Sequence, residues 1–95
     1  MYMHFVRMIQ FTRLVKAEGR LREFNFRKLK GPEDGLFSVN VCNDRGDRIL
    51  FNMEKKDSGW RIQTGELPKW IIQNEKTLNE VIEDEMNRPE PGLPY

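Results

Sequence analysis

The 95-residue sequence has one cysteine, one histidine and no long apolar run, and each shortage excludes a class of protein. Cys42 alone cannot form an intrachain disulfide, and no second thiol is present to complete a zinc cluster. This cysteine usage favours a reducing, cytoplasmic location. The N-terminal stretch "MYMHFVRMIQF" is apolar, but His4 and Arg7 interrupt it, and it lacks a small-residue cleavage site. It therefore predicts neither a secretion signal nor a membrane span.

What the sequence does contain is enough for one small core. Six Phe and two Trp carry much of the 38% apolar fraction, and each large aromatic can bury roughly 150–250 Å². A third of the residues are charged but the formal net charge is only +1, which is typical of an ordinary soluble domain. The length predicts one domain. We place it at residues 9–87, between a flexible lead over residues 1–8 and a Pro-rich disordered tail over residues 88–95.

Alternation of apolar and polar residues predicts a series of antiparallel strands. The clearest is "LFSVNVC", residues 36–42, which puts Phe37, Val39 and Val41 on one face. Residues 20–29, 47–55 and 60–64 alternate in the same way. Residues 9–17 fit a strand, although a short helix is the alternative over that stretch.

The pattern changes after residue 65. An apolar stripe then recurs at three- and four-residue steps and consists of Leu67, Ile71, Leu78, Val81 and Ile82. This spacing indicates an amphipathic helix. An apolar sheet face must be covered, and the stripe is the only sizeable cover that the sequence offers. The sequence therefore predicts an α+β fold: a four- or five-stranded antiparallel β-meander with one C-terminal amphipathic α-helix packed on one face.

In the order of its elements, a strand meander followed by a helix, the chain resembles the Whirly and PUR-repeat folds, which bind single strands. The resemblance rests on element order and assigns no residues. It implies nucleic-acid binding as one expectation for the open face of the sheet.

The tripeptide Arg45-Gly46-Asp47 matches an adhesion motif, but a hairpin bend explains it. Asn43 and Asp44 suit a type I turn, and Gly46 suits the left-handed residue that closes such a bend. Adhesion recognition needs an extracellular protein, and a calcium loop needs a glutamate that this bend lacks. We interpret the segment as a bend without a ligand.

No set of residues predicts catalysis. The only histidine, His4, precedes the predicted domain, so no histidine within it can activate Cys42. Glu83, Asp84 and Glu85 are consecutive on a predicted helix and therefore point in different directions. We expect no enzyme, no cofactor and no metal site.

Charge is unevenly distributed along the chain. Residues 1–65 hold 13 Lys and Arg against 8 Asp and Glu, whereas residues 66–95 hold 3 against 7. The predicted outward face of the sheet collects arginine and amide side chains: Asn25, Arg27, Asn40, Arg48, Asn52 and Arg61. Such a face could bind a single-stranded nucleic acid. Glu23 and Glu54 share that face, however, and the large aromatics fall on the other one, so a solvated face is the alternative interpretation.

Protein association is the prediction that we favour. Trp70 and Ile72 fall partly off the apolar stripe, where an exposed aromatic could anchor a partner; alternatively, Trp70 packs over the end of the sheet. The edge strands of the meander could also pair with those of a second copy. The sequence thus predicts a small non-catalytic binding or assembly module that acts on a protein partner or on itself, without membrane contact. Single-stranded nucleic-acid binding is the alternative.

Overall fold

The computed structural model describes residues 9–28, 35–63 and 65–87. Its elements are β1 (Ile9–Ala17), β2 (Arg20–Lys28), β3 (Leu36–Cys42), β4 (Arg48–Lys56), β5 (Gly59–Ile62), α1 (Lys69–Ile72) and α2 (Glu75–Met86). The five strands form one sheet in the order β1-β2-β3-β4-β5, and every neighbouring pair is antiparallel. The predicted α+β class and meander are confirmed. The predicted lead and tail, residues 1–8 and 88–95, lie outside the described residues.

The first hairpin shows how local sequence sets the register. Residues 9–17 form a strand and not the alternative short helix. Glu18 and Gly19 connect it to β2 with φ values of 56° and 80°, and two successive left-handed residues make the type I′ turn that matches the twist of a hairpin. The register then runs without interruption from Ile9 opposite Lys28 to Ala17 opposite Arg20.

The core lies between one face of the sheet and the helices. The buried apolar side chains of the strands are Val15, Ala17, Phe24, Phe26, Phe37, Val39, Val41, Phe51, Met53 and Trp60. Phe11 stacks on Phe26 with ring centroids 4.7 Å apart, and Phe37 meets Trp60 edge to face at 5.1 Å. Such ring contacts add specific geometry to the burial of apolar area.

The predicted C-terminal helix is interrupted after its first turn. The Asn74 side-chain Nδ2 donates to the Trp70 carbonyl at 2.6 Å, and the Asn74 carbonyl accepts from the Leu78 amide at 2.9 Å. Asn74 therefore ends α1 and begins α2, as an amide side chain does when it competes for backbone acceptors. The apolar stripe continues across the interruption, because Ile71, Leu78 and Ile82 are all 0% exposed.

Helix α2 contacts β5 and β1, which are the last and first strands of the sheet. Since these strands are its two edges, the sheet is curled around the core and α2 lies between the edges. The other face of the sheet is left toward solvent. None of the described helices has the length and apolarity needed to cross a lipid bilayer.

Candidate interaction surface on the outward face of the sheet

The outward face of the sheet carries all six residues of the predicted nucleic-acid site. Asn25 and Arg27 come from β2, Asn40 from β3, Arg48 and Asn52 from β4, and Arg61 from β5. Each alternates with buried core residues on its own strand, so all six side chains are exposed or partly exposed. The structure places the set on one face, and its binding role stays a prediction.

Four outward side chains form a chain of hydrogen bonds across β1 to β4. Thr12 Oγ1 donates to Asn25 Oδ1 at 2.6 Å, and Asn25 Nδ2 donates to Asn40 Oδ1 at 3.0 Å. The Arg48 guanidinium donates to the same Asn40 oxygen at 2.6 Å. The strand register sets Thr12, Asn25 and Asn40 side by side, which makes this a cross-strand ladder. Three of the six candidate residues are therefore bonded to one another.

The three candidate arginines do not converge on one point. Arg48 begins β4 and Arg61 pairs with Glu54 near the other end of that strand, which separates the two positions by about 20 Å of strand. The Arg61 Nε also lies 3.9 Å from Glu75 Oε2 on α2. Arg27 lies on β2, away from both. These arginines offer three separate points for a phosphate rather than one aligned groove.

Four leucines are exposed on this same face; Leu36 is 39% accessible, and the other three are considerably more exposed. Leu14, Leu21 and Leu50 keep 64%, 65% and 64% of their surface accessible. Leu14 and Leu21 are diagonal neighbours on β1 and β2, while Leu50 pairs with Asn40 on the other side of the hydrogen-bonded chain. Exposed apolar clusters that are rimmed by polar residues are typical of interaction surfaces. Leu14 shares the outward parity of Thr12 on β1.

A cleft of about 240 Å³ opens on the outward face between Leu21 and Arg48. The cleft lies beyond Asn25, where the pairing of β2 with β3 stops after three residue pairs. Cys42 lines it with an exposed thiol and pairs with Arg48 in the register of β3 and β4. The sheet surface is thus indented next to one of the exposed leucines, Leu21.

Arg22 is buried beside this cleft and explains the position of Trp70. Its side chain is 6% exposed and donates from Nε to the Ala17 carbonyl at 3.2 Å. Its Nη1 lies 3.1 Å from Asp44 Oδ1. Its guanidinium carbon lies 4.2 Å from the centre of the Trp70 ring, a cation–π contact. Trp70 is 9% exposed and also meets Phe24 edge to face. The prediction that Trp70 offers an exposed aromatic anchor is therefore wrong.

Ile72, the second residue of the predicted interface pair, is 50% exposed. It lies in the single turn of α1, next to the buried Trp70 and Ile71. One isolated exposed isoleucine is normal on a protein surface. An interface role for Ile72 stays a prediction.

The predicted edge-to-edge pairing is obstructed at β5. The backbone amides of Trp60 and Ile62 donate to Asn79 Oδ1 at 2.7 Å and to Glu75 Oε2 at 2.8 Å. Asn79 and Glu75 are four residues apart on one face of α2. Their side chains are therefore spaced to accept from two backbone amides that are two residues apart on β5. Gly59 permits the close approach, because a Cβ atom there would lie 2.8 Å from Asn79 Oδ1. While α2 is docked, β5 cannot pair with a second copy.

Charged residues join the sheet to α2 along the seam between them. The Arg13 guanidinium donates to Asp84 at 2.8 Å and to Glu85 at 3.2 Å, and the bond to Asp84 is the main cause of a raised Arg13 pKa. Lys55 Nζ donates to Glu83 Oε2 at 2.9 Å. Asp84 and Glu85 therefore converge on one guanidinium, contrary to the prediction that the three consecutive acidic residues point in different directions, and only Glu83 bonds elsewhere. Much of the charge segregation along the chain is neutralised within the fold.

The bend between β3 and β4 is shaped by Asn43. Its Oδ1 accepts the backbone amides of Arg45 and Asp47, both at 2.9 Å, and Gly46 has a φ of 86°. This is an Asx-type bend, and the left-handed glycine that closes it is the one that the sequence predicts.

The described residues provide little for catalytic or metal chemistry. Within residues 9–28, 35–63 and 65–87, no group of three His, Cys, Asp or Glu side chains is placed to hold a metal ion. His4 lies outside the described residues. The Cys42 thiol has arginines beside it in the cleft but no imidazole in that part of the chain.

No protein-family model matches the chain, and neither does any curated protein or solved structure. The resemblance to the Whirly and PUR-repeat folds therefore remains one of element order. Function has to be inferred from the surface itself.

Proposed function

We propose that this chain is a small, non-catalytic binding or assembly module of the cytoplasm that contacts another protein through the outward face of its sheet. One observation carries the proposal: Leu14, Leu21 and Leu50 stay more than 60% exposed on that face. Fully burying a leucine side chain contributes roughly 1.5–3 kcal/mol. A partner that covers these three residues removes the largest exposed apolar side chains of the sheet from water.

The polar groups around the leucines favour a protein partner. The amides of Asn25 and Asn40 are already bonded to each other and to Thr12 and Arg48. Covering them therefore leaves few polar groups without a partner, which is the main cost of burying polar surface. A preformed polar network beside apolar anchors is the usual composition of a protein interface.

The rest of the fold restricts where else a protein could bind. The β5 edge is occupied by α2, and Trp70 is covered by Arg22. The outward face retains both apolar area and an indentation, the cleft next to Leu21. Concave surface next to exposed apolar side chains is where anchoring residues of a partner bind.

The experiment is site-specific photo-crosslinking in the native cell. A photoreactive amino acid at position 50 is compared with one at position 76, an exposed lysine on α2. We expect position 50 to give a discrete adduct that mass spectrometry identifies as a protein, and position 76 to give none. Adding Leu21→Glu to the protein that carries the photoreactive residue at position 50 should lower the yield of that adduct. The same adducts from both positions, or none from position 50, would contradict the proposal.

Single-stranded nucleic-acid binding is the second candidate, and one row of side chains favours it. Arg27, Ser38 and Asn52 are neighbours across β2, β3 and β4, and a row of this kind could contact successive phosphates. Against it, Phe24, Phe26 and Phe37 lie on the buried face and cannot stack on bases.

A labelled oligonucleotide titrated at two salt concentrations separates the candidates. We expect no micromolar binding even at low salt. Binding that falls steeply with salt, and that Arg27→Ala weakens more than the loop control Arg45→Ala, would favour the nucleic-acid function instead.

A further inference from the structure

We propose that the partner of the leucine face is a second copy of this chain, packed face to face about Cys42. This inference rests on the proposed function and adds the identity of the partner. It comes from the way the exposed residues are arranged around that one cysteine.

The strand order puts Cys42 of β3 between two exposed leucines, Leu21 of β2 and Leu50 of β4. Cys42 pairs with Arg48, and Leu50 lies two residues further along β4, one side-chain row to one side. When the pairing of Asn25 with Asn40 is continued along both strands, Leu21 of β2 falls one row to the other side. Leu21 and Cys42 line the same cleft, in agreement with that position. Leu50 is therefore one strand and one row from Cys42, about 8 Å away at standard strand spacing, and Leu21 lies on the other side of Cys42, in the lining of the cleft.

This arrangement is compatible with an isologous interface. A two-fold axis that passes through Cys42 and exchanges the two leucines puts Leu21 of each copy over Leu50 of the other. Every contact then occurs twice, and the same surface serves both copies. The axis falls on Cys42, whose small side chain allows the two sheets to approach closely.

The charges around the two leucines suit a second copy. Arg20 and Arg48 are balanced by Glu23 and Asp44 in the residues that line the cleft, while Arg22 is buried. A patch with equal numbers of exposed positive and negative groups does not repel its own copy, whereas a patch of one sign would. The same balance gives no preference for a polyanion.

The first test measures self-association under reducing conditions. Sedimentation equilibrium of the full chain should show a dimer that forms reversibly with concentration. Leu50→Glu should raise the dissociation constant by roughly a hundredfold, because each substitution removes a leucine contact twice and each contact contributes about tenfold. Leu21→Glu should do the same. Both leucines are exposed in the monomer, so the loss should leave the circular dichroism unchanged, and also the melting temperature at concentrations where the wild type is monomeric.

Ile72→Glu is the matched control, since it places the same charge on an exposed apolar residue outside the sheet, in α1. It should leave the dimer intact. A wild-type monomer at every concentration up to about 1 mM, a weak limit for any specific complex, would overturn the inference. So would a dimer that Ile72→Glu disrupts and Leu50→Glu does not.

The second test uses the single cysteine. A short bis-maleimide should join two Cys42 thiols into a covalent dimer in the wild type, and the yield should fall at least tenfold in Leu50→Glu at equal concentration. A dimer that sediments but does not crosslink would contradict packing about Cys42. Failure here is distinct from failure of the proposed function: if position 50 photo-crosslinks to a different protein, the surface still binds a partner and only the second copy is excluded.

Discussion

The two faces of this sheet are built from alternate residues of the same strands, yet they satisfy their polar groups in different ways. On the inner face Arg13 bonds across the fold to Asp84 and Glu85 of α2. On the outer face the polar side chains bond to neighbours in the same sheet, from Thr12 to Arg48. The inner face is complete only with the helix. The outer face is internally bonded and still leaves leucines in water, which is why we assign stability to the first face and recognition to the second.

The largest test of this contrast removes a core contact. Leu78 is 0% exposed on α2, and Leu78→Ala should lower the free energy of unfolding by about 2–5 kcal/mol, through lost burial and an unfilled cavity. Leu50→Ala deletes the same atoms from the outer face, and it should change the free energy of unfolding by less than about 0.5 kcal/mol. Urea denaturation measures both. Equal losses would mean that the outer face also holds the monomer together.

A second test asks whether a buried cation behaves like a core residue. Arg22→Ala should lower the free energy of unfolding by about 2–3 kcal/mol, because it removes a charged hydrogen bond and the cation over the Trp70 ring. The tryptophan emission should also shift to the red as the ring is uncovered. Arg20→Ala is the control, since Arg20 bonds to the same oxygen of Asp44 but is 63% exposed. Its loss should cost no more than about 0.5 kcal/mol, and a larger loss than for Arg22 would contradict the assignment.

A third test sharpens the contrast at the sheet edge. Asn79→Ala leaves the partly buried Trp60 amide without its acceptor. It should therefore lower the free energy of unfolding by about 1–3 kcal/mol. Hydrogen exchange at that amide should accelerate by more than the global loss of stability explains. Glu80→Ala, at the exposed next position on α2, should change neither quantity. Unchanged exchange at Trp60 in Asn79→Ala would show that α2 does not protect the edge.

The smallest expected effect is a pH dependence on the outer face. Bonds from Lys56, and next from Gln63, lower the pKa of Glu54 below its ordinary value of 4.5. A carboxyl whose pKa is lower in the folded than in the unfolded state stabilises the fold at pH values above its unfolded-state pKa. That contribution is lost as the pH falls through the folded-state pKa. An NMR titration of the Glu54 carboxyl measures it directly. Lys56→Ala should move the pKa back up and Lys16→Ala should not; no movement in Lys56→Ala would contradict the stated cause.

Residue parity predicted the two faces because a strand alternates strictly, whatever its neighbours are. It placed Phe24 and Phe37 inside and Asn25 and Arg48 outside, and the structure agrees. Residue parity also places Arg22 on the inward face with Phe24, and this indication did not enter the predictions. A charged residue in that register has to find partners inside the fold.

The features that the sequence could not predict depend on distant parts of the chain. Trp70 is covered by Arg22, which lies 48 positions earlier, so no local pattern indicates its burial. The β5 edge is protected only because α2 docks with Glu75 and Asn79 toward it. The interruption at Asn74 was visible as a gap in the apolar stripe, but the hydrogen bond from its side chain to the Trp70 carbonyl was not.

The bend that carries Arg45-Gly46-Asp47 has a practical consequence. Its backbone path is fixed by Asn43 and by the amide of Gly46, which donates to the Asn43 carbonyl at 3.0 Å. The side chain at position 45 takes no part in those bonds, so its chemistry can be replaced while the chain keeps the same course. Position 45 is therefore an attachment point for a fluorophore or an affinity peptide, on a loop whose shape the label does not have to supply.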